Sequence, residues 1–274
     1  MMKNFYTFAL GALLGLFSIS TFANHHTVRV GGTGGSVAMM KIMATAYQET
    51  NPDRRIIVVS GLGSNGGMRA LASKKIDMAI VALPLNKEAQ AINAVRDEYA
   101  RTPYMITVNP STTLADINTQ ELADILTGKI KNWDNGQVMR LVMRPFGDSD
   151  TKFMRSIDPT VDEAVKTALK REGIIVAPTD QDAADSIMNT PGAIGITTLA
   201  QNNAEKRGLI PSKLNGIEPS VENLESGDYR YYKSLSMVTW PQPSEAVSHF
   251  AKFIRSDIGT SLLQEYGHMI LPKQ

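Results

Sequence analysis

Twice in the first third of this chain an apolar, strand-like run breaks into a glycine- and serine-rich turn and resumes as a helix. The first is Val28-Arg29-Val30, followed by Gly31-Gly32-Thr33-Gly34-Gly35-Ser36 and an apolar helix from Val37. The second is Ile56-Ile57-Val58-Val59, followed by Ser60-Gly61-Leu62-Gly63-Ser64-Asn65-Gly66-Gly67 and a helix through Met68 and Leu71. A turn of this kind leaves backbone N–H groups free at a helix N-terminus with a hydroxyl beside them, which is an arrangement that holds anions. Two in one domain predict a binding cleft.

Beyond residue 26 the same alternation continues, and it sets the class as α/β. Strands are expected at 28–31, 56–60, 78–82, 104–108, 140–145, 174–177, 193–197 and 236–239. Helices are expected at 37–50, 66–73, 119–127, 151–156, 161–172, 181–189, 198–207, 243–255 and 258–265. Met40, Ile42, Met43 and Tyr47 recur at helical spacing, a core-facing stripe, and the 14 methionines read as core filler. Two strands are expected to cross between lobes, near 104–108 and 235–239. That places lobe I at 24–107 plus 236–274 and lobe II at 108–235.

Residues 1–23 carry one charge, Lys3, and an apolar stretch at 8–17, and end in Ser20-Thr21-Phe22-Ala23. This is the pattern of a cleaved export signal, too short to span a bilayer, so no stable membrane insertion is expected. The chain has no cysteine, hence neither a disulfide nor a lipidated N-terminal cysteine. An exported chain of this kind is expected in the periplasm. The sequence has 28 basic and 27 acidic residues, and removing Lys3 leaves 27 of each. Without net positive charge a nucleic-acid partner is not expected. An anion must be captured by local geometry.

The glycine turns are not phosphate loops of the nucleotide-binding kind. No Gly-Lys-Ser/Thr follows the first, and its glycine spacing does not fit a dinucleotide fold. Taken alone, the first is either a ligand-holding turn or a tight turn capped by Ser36. Ser64 lacks the glycine two residues ahead that a nucleophile elbow needs, since position 62 is Leu. None of His25, His26, His249 or His268 stands in a partner context, so a Ser64 hydrolase is disfavoured. A third turn, Arg144-Pro145-Phe146-Gly147-Asp148-Ser149-Asp150-Thr151, carries a cation and two hydroxyls. Arg144 either closes on an anion with its planar fork or pairs with Asp148 or Asp150. Trp133 is read as packing a loop rather than as a ligand platform.

On these motifs the chain resembles the phosphate-binding proteins of bacterial ABC importers, within the type II periplasmic solute-binding superfamily. The most specific likenesses are Thr127-Gly128-Lys129-Ile130-Lys131-Asn132-Trp133 and Gly216-Ile217-Glu218-Pro219-Ser220-Val221-Glu222-Asn223. The resemblance implies two α/β lobes joined by two crossover strands around a central ligand cleft. It also implies oxyanion contacts from Thr33 and Ser36 in the first turn, Ser64 in the second, and Arg144, Ser149 and Thr151 in the third. The family often places a proton-accepting carboxylate just after the third strand; here that position is Ala82.

The resulting expectation is a periplasmic binding protein, not an enzyme, that captures phosphate or a related oxyanion for an ABC importer permease, with no cofactor or metal. The alternative is an adhesion, sensory or scaffold protein on the same fold with a weak or different small-anion ligand. Arg144→Ala is expected to weaken binding at least tenfold and to leave the melting temperature of the empty protein nearly unchanged.

Overall fold

The computed structural model describes residues 27–113 and 116–272. The export signal at 1–23 and the His25-His26 pair lie outside the described residues. The strands are β1 (Thr27–Gly32), β2 (Arg55–Val59), β3 (Met78–Val81), β4 (Val95–Val108), β5 (Asp116–Ile117), β6 (Arg140–Met143), β7 (Ile175–Val176), β8 (Ala193–Thr198), β9 (Ile210–Leu214), β10 (Tyr232–Thr239) and β11 (Met269–Ile270). The helices are α1 (Val37–Thr50), α2 (Gly63–Ala72), α3 (Lys87–Ala91), α4 (Thr119–Thr127), α5 (Ser149–Arg155), α6 (Pro159–Ala168), α7 (Asp180–Asn189), α8 (Leu199–Ala204), α9 (Val221–Ser226), α10 (Glu245–Ile254) and α11 (Asp257–Glu265). A 3-10 turn, Gly34–Ser36, runs directly into α1.

The strands follow the path β2-β1-β3-β10-β4-β8-β6-β7, with β9 and β11 also paired to β4, and β5 to β9. β1 pairs in parallel with β2 and β3, and β6 in parallel with β7 and β8. These form two α/β halves, each with its own apolar interior. One is built on Val28, Val30, Met43, Tyr47, Met78 and Phe250. The other is built on Ile106, Leu126, Val161, Val165, Ile194 and Tyr229.

β4 belongs to both halves. Its first part pairs with β10 and β11, and Tyr104–Val108 pairs with β8. The change of partner falls at Pro103, a residue with no N–H to offer a ladder. Tyr104 then donates its N–H to Tyr231 O at 2.9 Å, so chain and return chain meet there. Sequence reading finds only the last five residues of β4, and misses β5, β9, β11, α3 and α9. α2 begins at Gly63, three residues earlier than expected, so Gly63, Ser64 and Asn65 form its first turn. Among the described residues nine methionines are buried, as core filler would be. Trp133 is 7% exposed and donates its indole N–H to Gly192 O at 3.0 Å, which fixes its loop.

Helix capping separates the elements into two groups. α3 to α11 each have an N-cap side chain that accepts a hydrogen bond from the first turn. α1 and α2, the helices after the two glycine turns, have none. An uncapped N-terminus keeps both its partial positive charge and its unpaired N–H groups.

Candidate functional site

The first turn is built around Gly32, whose φ of +146° suits glycine alone. A Cβ there would lie 1.9 Å from Ile80 O, and Thr33 N–H donates to that same carbonyl at 2.8 Å. The turn is thereby clamped to β3. Gly67 on α2 comes close to it: a Cβ on Gly67 would lie 2.8 Å from Gly32 Cα. This tight contact sets the two uncapped N-termini side by side. Gly61 and Gly63 have φ of +77° and +65°, which steers the chain from β2 into α2. Ser64 Oγ accepts the N–H of Ala82 at 3.0 Å, tying α2 to the end of β3.

The third turn faces them from the other half. Arg144 is 4% exposed. Its Nη1 donates to Ala177 O at 2.5 Å and its Nη2 to Asp148 Oδ2 at 3.0 Å, while its Nε lies 3.4 Å from Asp180 Oδ1. Asp148 also caps α5 by accepting Asp150 N–H. Of the two readings left open by the sequence, the pairing of Arg144 with Asp148 is thus present, and the arginine lines the cleft as well. The Thr151 hydroxyl donates to Arg144 O at 2.8 Å and the Ser149 hydroxyl to Asp150 Oδ1 at 3.3 Å.

Between these turns lies a cleft of about 380 Å³. Ser64, Arg144 and Ser149 line it. Thr33, Ser36 and Thr151 do not; all three are buried beside it. Ser36 Oγ has no hydrogen-bond partner among the described residues. Ala82 and Val81 are also absent from the wall, where Leu62, Leu83, Pro145 and Pro178 supply the apolar surface. The exposed Arg69, on α2, stands in the wall too.

Two residues that the sequence reading passed over complete the site. Asp180, the first residue of α7, accepts the N–H of Gly35 at 2.6 Å. Lys233, on β10 and 2% exposed, donates to Asp150 Oδ1 at 2.6 Å and lies 3.9 Å from Asp180 Oδ1. Tyr104 OH donates to the same Asp150 oxygen at 2.9 Å. Oxygens of Asp148, Asp150 and Asp180 all fall within 4.8 Å of one another. The signal available was slight. Thr179-Asp180-Gln181-Asp182 reads only as a helix start, and Lys233 is a lone cation in a strand.

Three carboxylates face two cations in a dry setting, and their titration divides. Burial alone would push Asp150 up, but Lys233 outweighs it and holds Asp150 below the usual carboxylate range. Asp148 is raised by burial and by the neighbouring Asp150 charge. Asp180 is pushed up to about 7, first by burial and then by Asp150 and Asp148, against the pull of Lys233 and Arg144. Lys233 is raised: its acidic neighbours more than offset burial. As pH rises, the cluster therefore gives up its last carboxyl proton, that of Asp180, near neutrality, while Asp150 remains ionised well below it.

The comparisons agree with this frame. A family model described as a PBP superfamily domain matches residues 21–257. The phosphate-binding protein PstS of Borreliella burgdorferi is 25% identical over 262 residues, covering 93% of this chain and 93% of the relative. That of Bacillus subtilis is 28% identical over 246 residues, covering 86% of this chain and 78% of the relative. Among solved structures, a substrate-binding protein with bound phosphate from Clostridium perfringens superposes with a TM-score of 0.77 at 18% identity, covering 90% of this chain and 100% of that one. Its likeness extends to the whole two-half α/β architecture. With 21–257 matched by the family model, the chain belongs to the PBP superfamily and has the fold of the type II periplasmic binding proteins.

Proposed function

We propose that this protein is a periplasmic solute-binding protein that captures phosphate or a closely related oxyanion and presents it to an ABC importer, with no chemistry of its own. The observation that carries the reading is the uncapped N-terminus of α2 opening into the same cleft as the buried guanidinium of Arg144 and the Ser149 hydroxyl. The phosphate-binding names of the relatives and the phosphate held by the Clostridium perfringens neighbour support it. Ligand contacts are assigned to Ser64, Arg144 and Ser149 from the wall. Thr33, Ser36 and Thr151 support the turns and reach the anion only if the turns rearrange.

The lobes expected at 24–107 plus 236–274, and at 108–235, are proposed with their seams moved to Pro103 and the Tyr231–Tyr232 return, since Ile106 packs in the second core and Leu235 in the first. Closure about those seams brings opposing amides and Arg144 onto one ligand. Micromolar capture needs roughly 8 kcal/mol net. Charge-assisted hydrogen bonds contribute ~1.5–3 kcal/mol each, so several are required after ordering and desolvation. Calorimetric titration of the folded mature protein with phosphate, sulfate, molybdate and small carboxylates tests this. Phosphate is expected to bind in the micromolar range or tighter. Silence to every oxyanion would favour the adhesion, sensory or scaffold reading.

One observation favours a second reading within the same class. The cleft, at about 380 Å³, falls in the ~300–1,000 Å³ range of sites for organic ligands. Arg69 offers a further cation in its wall, and Leu62, Leu83 and Pro145 offer apolar surface. A phosphate ester or small organic acid would use both, and would then outcompete inorganic phosphate in the same titration.

A further inference from the structure

The long helix that opens with the Gly34–Ser36 turn and continues as α1 has no cap from its own segment, yet its N-terminus is not empty. The carboxylate of Asp180, 145 residues away in sequence, sits on it. Oδ2 accepts Gly35 N–H at 2.6 Å, and a Cβ on Gly34 would lie 2.4 Å from that oxygen, so Gly34 is what lets the carboxylate in. Beside it, Gln181 Nε2 donates to Gly34 O at 2.9 Å. A carboxylate seated on a helix N-terminus and flanked by a guanidinium occupies the place of a bound oxyanion. Its fit is incomplete. Asp180 Oδ1 and Arg144 Nε are buried without a hydrogen-bond partner among the described residues, although they lie 3.4 Å apart. A ligand with more oxygens than a carboxylate, seated in its place, would accept from the buried Arg144 Nε that Asp180 leaves unpartnered.

We propose that Asp180 is an internal competitor for the first turn: its carboxylate holds the Gly35 amide in the empty protein and gives it up to the incoming oxyanion. This rests on the oxyanion-binding reading and deepens it by naming what the ligand displaces. Asp180 and the ligand are both anions, so the turn holds one or the other, and the apparent affinity is lowered by the fraction of molecules in which Asp180 is seated. Binding also drives proton uptake. The groups facing Asp180 are Arg144, Asp148 and Asp150 from the third turn and α5, Lys233 from β10, and Tyr104 from β4, through Asp150. From α8, Gln201 donates to Asp180 O at 3.1 Å, and Glu205 behind it bonds to Gln181. Bringing a dianion into a set that already holds three carboxylates favours the protonated form of the one nearest neutrality. Asp180 is that one, at about 7.

The test compares the wild type with Asp180→Asn, which keeps the size and an acceptor for Gly35 but not the charge. Inorganic phosphate is titrated calorimetrically at about pH 8, where it is a dianion and Asp180 is largely ionised, in two buffers of different ionisation heat. The variant is expected to bind at least fivefold more tightly, and only the wild type should take up a proton. Equal or weaker binding by the variant, or no proton uptake by the wild type, would overturn the proposal. If neither protein binds phosphate, the ligand reading fails but the seat is still tested in the empty wild type. The Gly35 amide resonance should then move with a midpoint near 7, and no movement between about pH 5 and pH 9 would overturn the proposal as well.

Discussion

Arg144 is engaged by Ala177 O, Asp148 and Asp180 before any ligand arrives, and only 4% of it is exposed. That changes the expectation drawn from sequence, in which its loss leaves the empty protein's melting temperature nearly unchanged. Removing one partner of a buried ion pair strands the others, at a cost of about 3–5 kcal/mol. A chain of this length loses about 2–4 °C per kcal/mol, so Arg144→Ala should melt on the order of 10 °C lower, besides binding phosphate at least tenfold more weakly. Differential scanning calorimetry of the empty variant checks it; an unchanged melting temperature would mean the pairing contributes nothing. His268 supplies a separate residue-scale effect. It is fully buried, its Nδ1 lies 2.8 Å from Leu263 O, and burial pushes it from 6.5 down to about 4. The unfolded chain therefore binds a proton that the native chain refuses. The stability this site supports is complete above about pH 6.5 and is lost as pH falls through about 4. Urea midpoints of wild type and His268→Gln should converge across that window as the acid is approached. Parallel lines would assign the acid loss to other groups.

At the scale of elements, the site depends on how closely α2 rests on the end of β1. A methyl on Gly67 meets backbone, Gly32 Cα at 2.8 Å, whereas one on Gly66 meets nothing nearer than Leu62 Cβ at 3.5 Å. Gly67→Ala should therefore destabilise by about 1–3 kcal/mol through overpacking. Gly66→Ala, inside the same helix, should be neutral or gain up to ~1 kcal/mol from a stiffer unfolded chain. Chemical denaturation of the pair measures this; equal effects would mean that α2 rides free of the sheet. The contrast also marks what the sequence makes legible. Both glycine turns, α1 with its Met40–Tyr47 stripe and the strand to Arg144 are readable locally, because periodicity and turn chemistry suffice. The first part of β4 is not. Val95-Arg96-Asp97-Glu98 has no apolar run to mark a strand, yet the strand holds its charges in place through Asp97 to Arg255, Glu98 to Arg101 and Arg96 to Ser236. Asp180 and Lys233 escape notice for the same reason. Their meaning arises only when α7 and β10 are carried to the first turn, and no local pattern records that meeting. Ala82 illustrates the reverse case: the sequence marks a lost carboxylate there, but Ala82 is not in the wall of the cleft, whose carboxylates are Asp148 before α5 and Asp180 on α7.

For the molecule as a whole, the question is what holds the two halves together when no ligand is present. Asp180 to Gly35 and Gln181 to Gly34 join α7 directly to the first turn across the cleft. β4 and the return chain at Tyr231 form the covalent seams. Two hydrogen bonds of modest net worth, ~0.5–1.5 kcal/mol for a neutral bond and ~1.5–3 kcal/mol for a charge-assisted one, do not by themselves lock two lobes. A ligand that bonds both halves supplies more, so it should shift the population toward the closed form. The absence of native cysteine makes this measurable, since two engineered thiols take spin labels without competition. Glu88 on α3 and Asn135 in the loop after Trp133 are both exposed and lie in opposite halves. In the doubly labelled Glu88→Cys, Asn135→Cys protein, the inter-label distances should be broad without ligand and should shorten and narrow with saturating phosphate. Adding Asp180→Asn should broaden the empty distribution further, because the charged latch is gone. A distribution that is already narrow and does not respond to phosphate would mean that the halves behave as one rigid body, and that capture proceeds without closure.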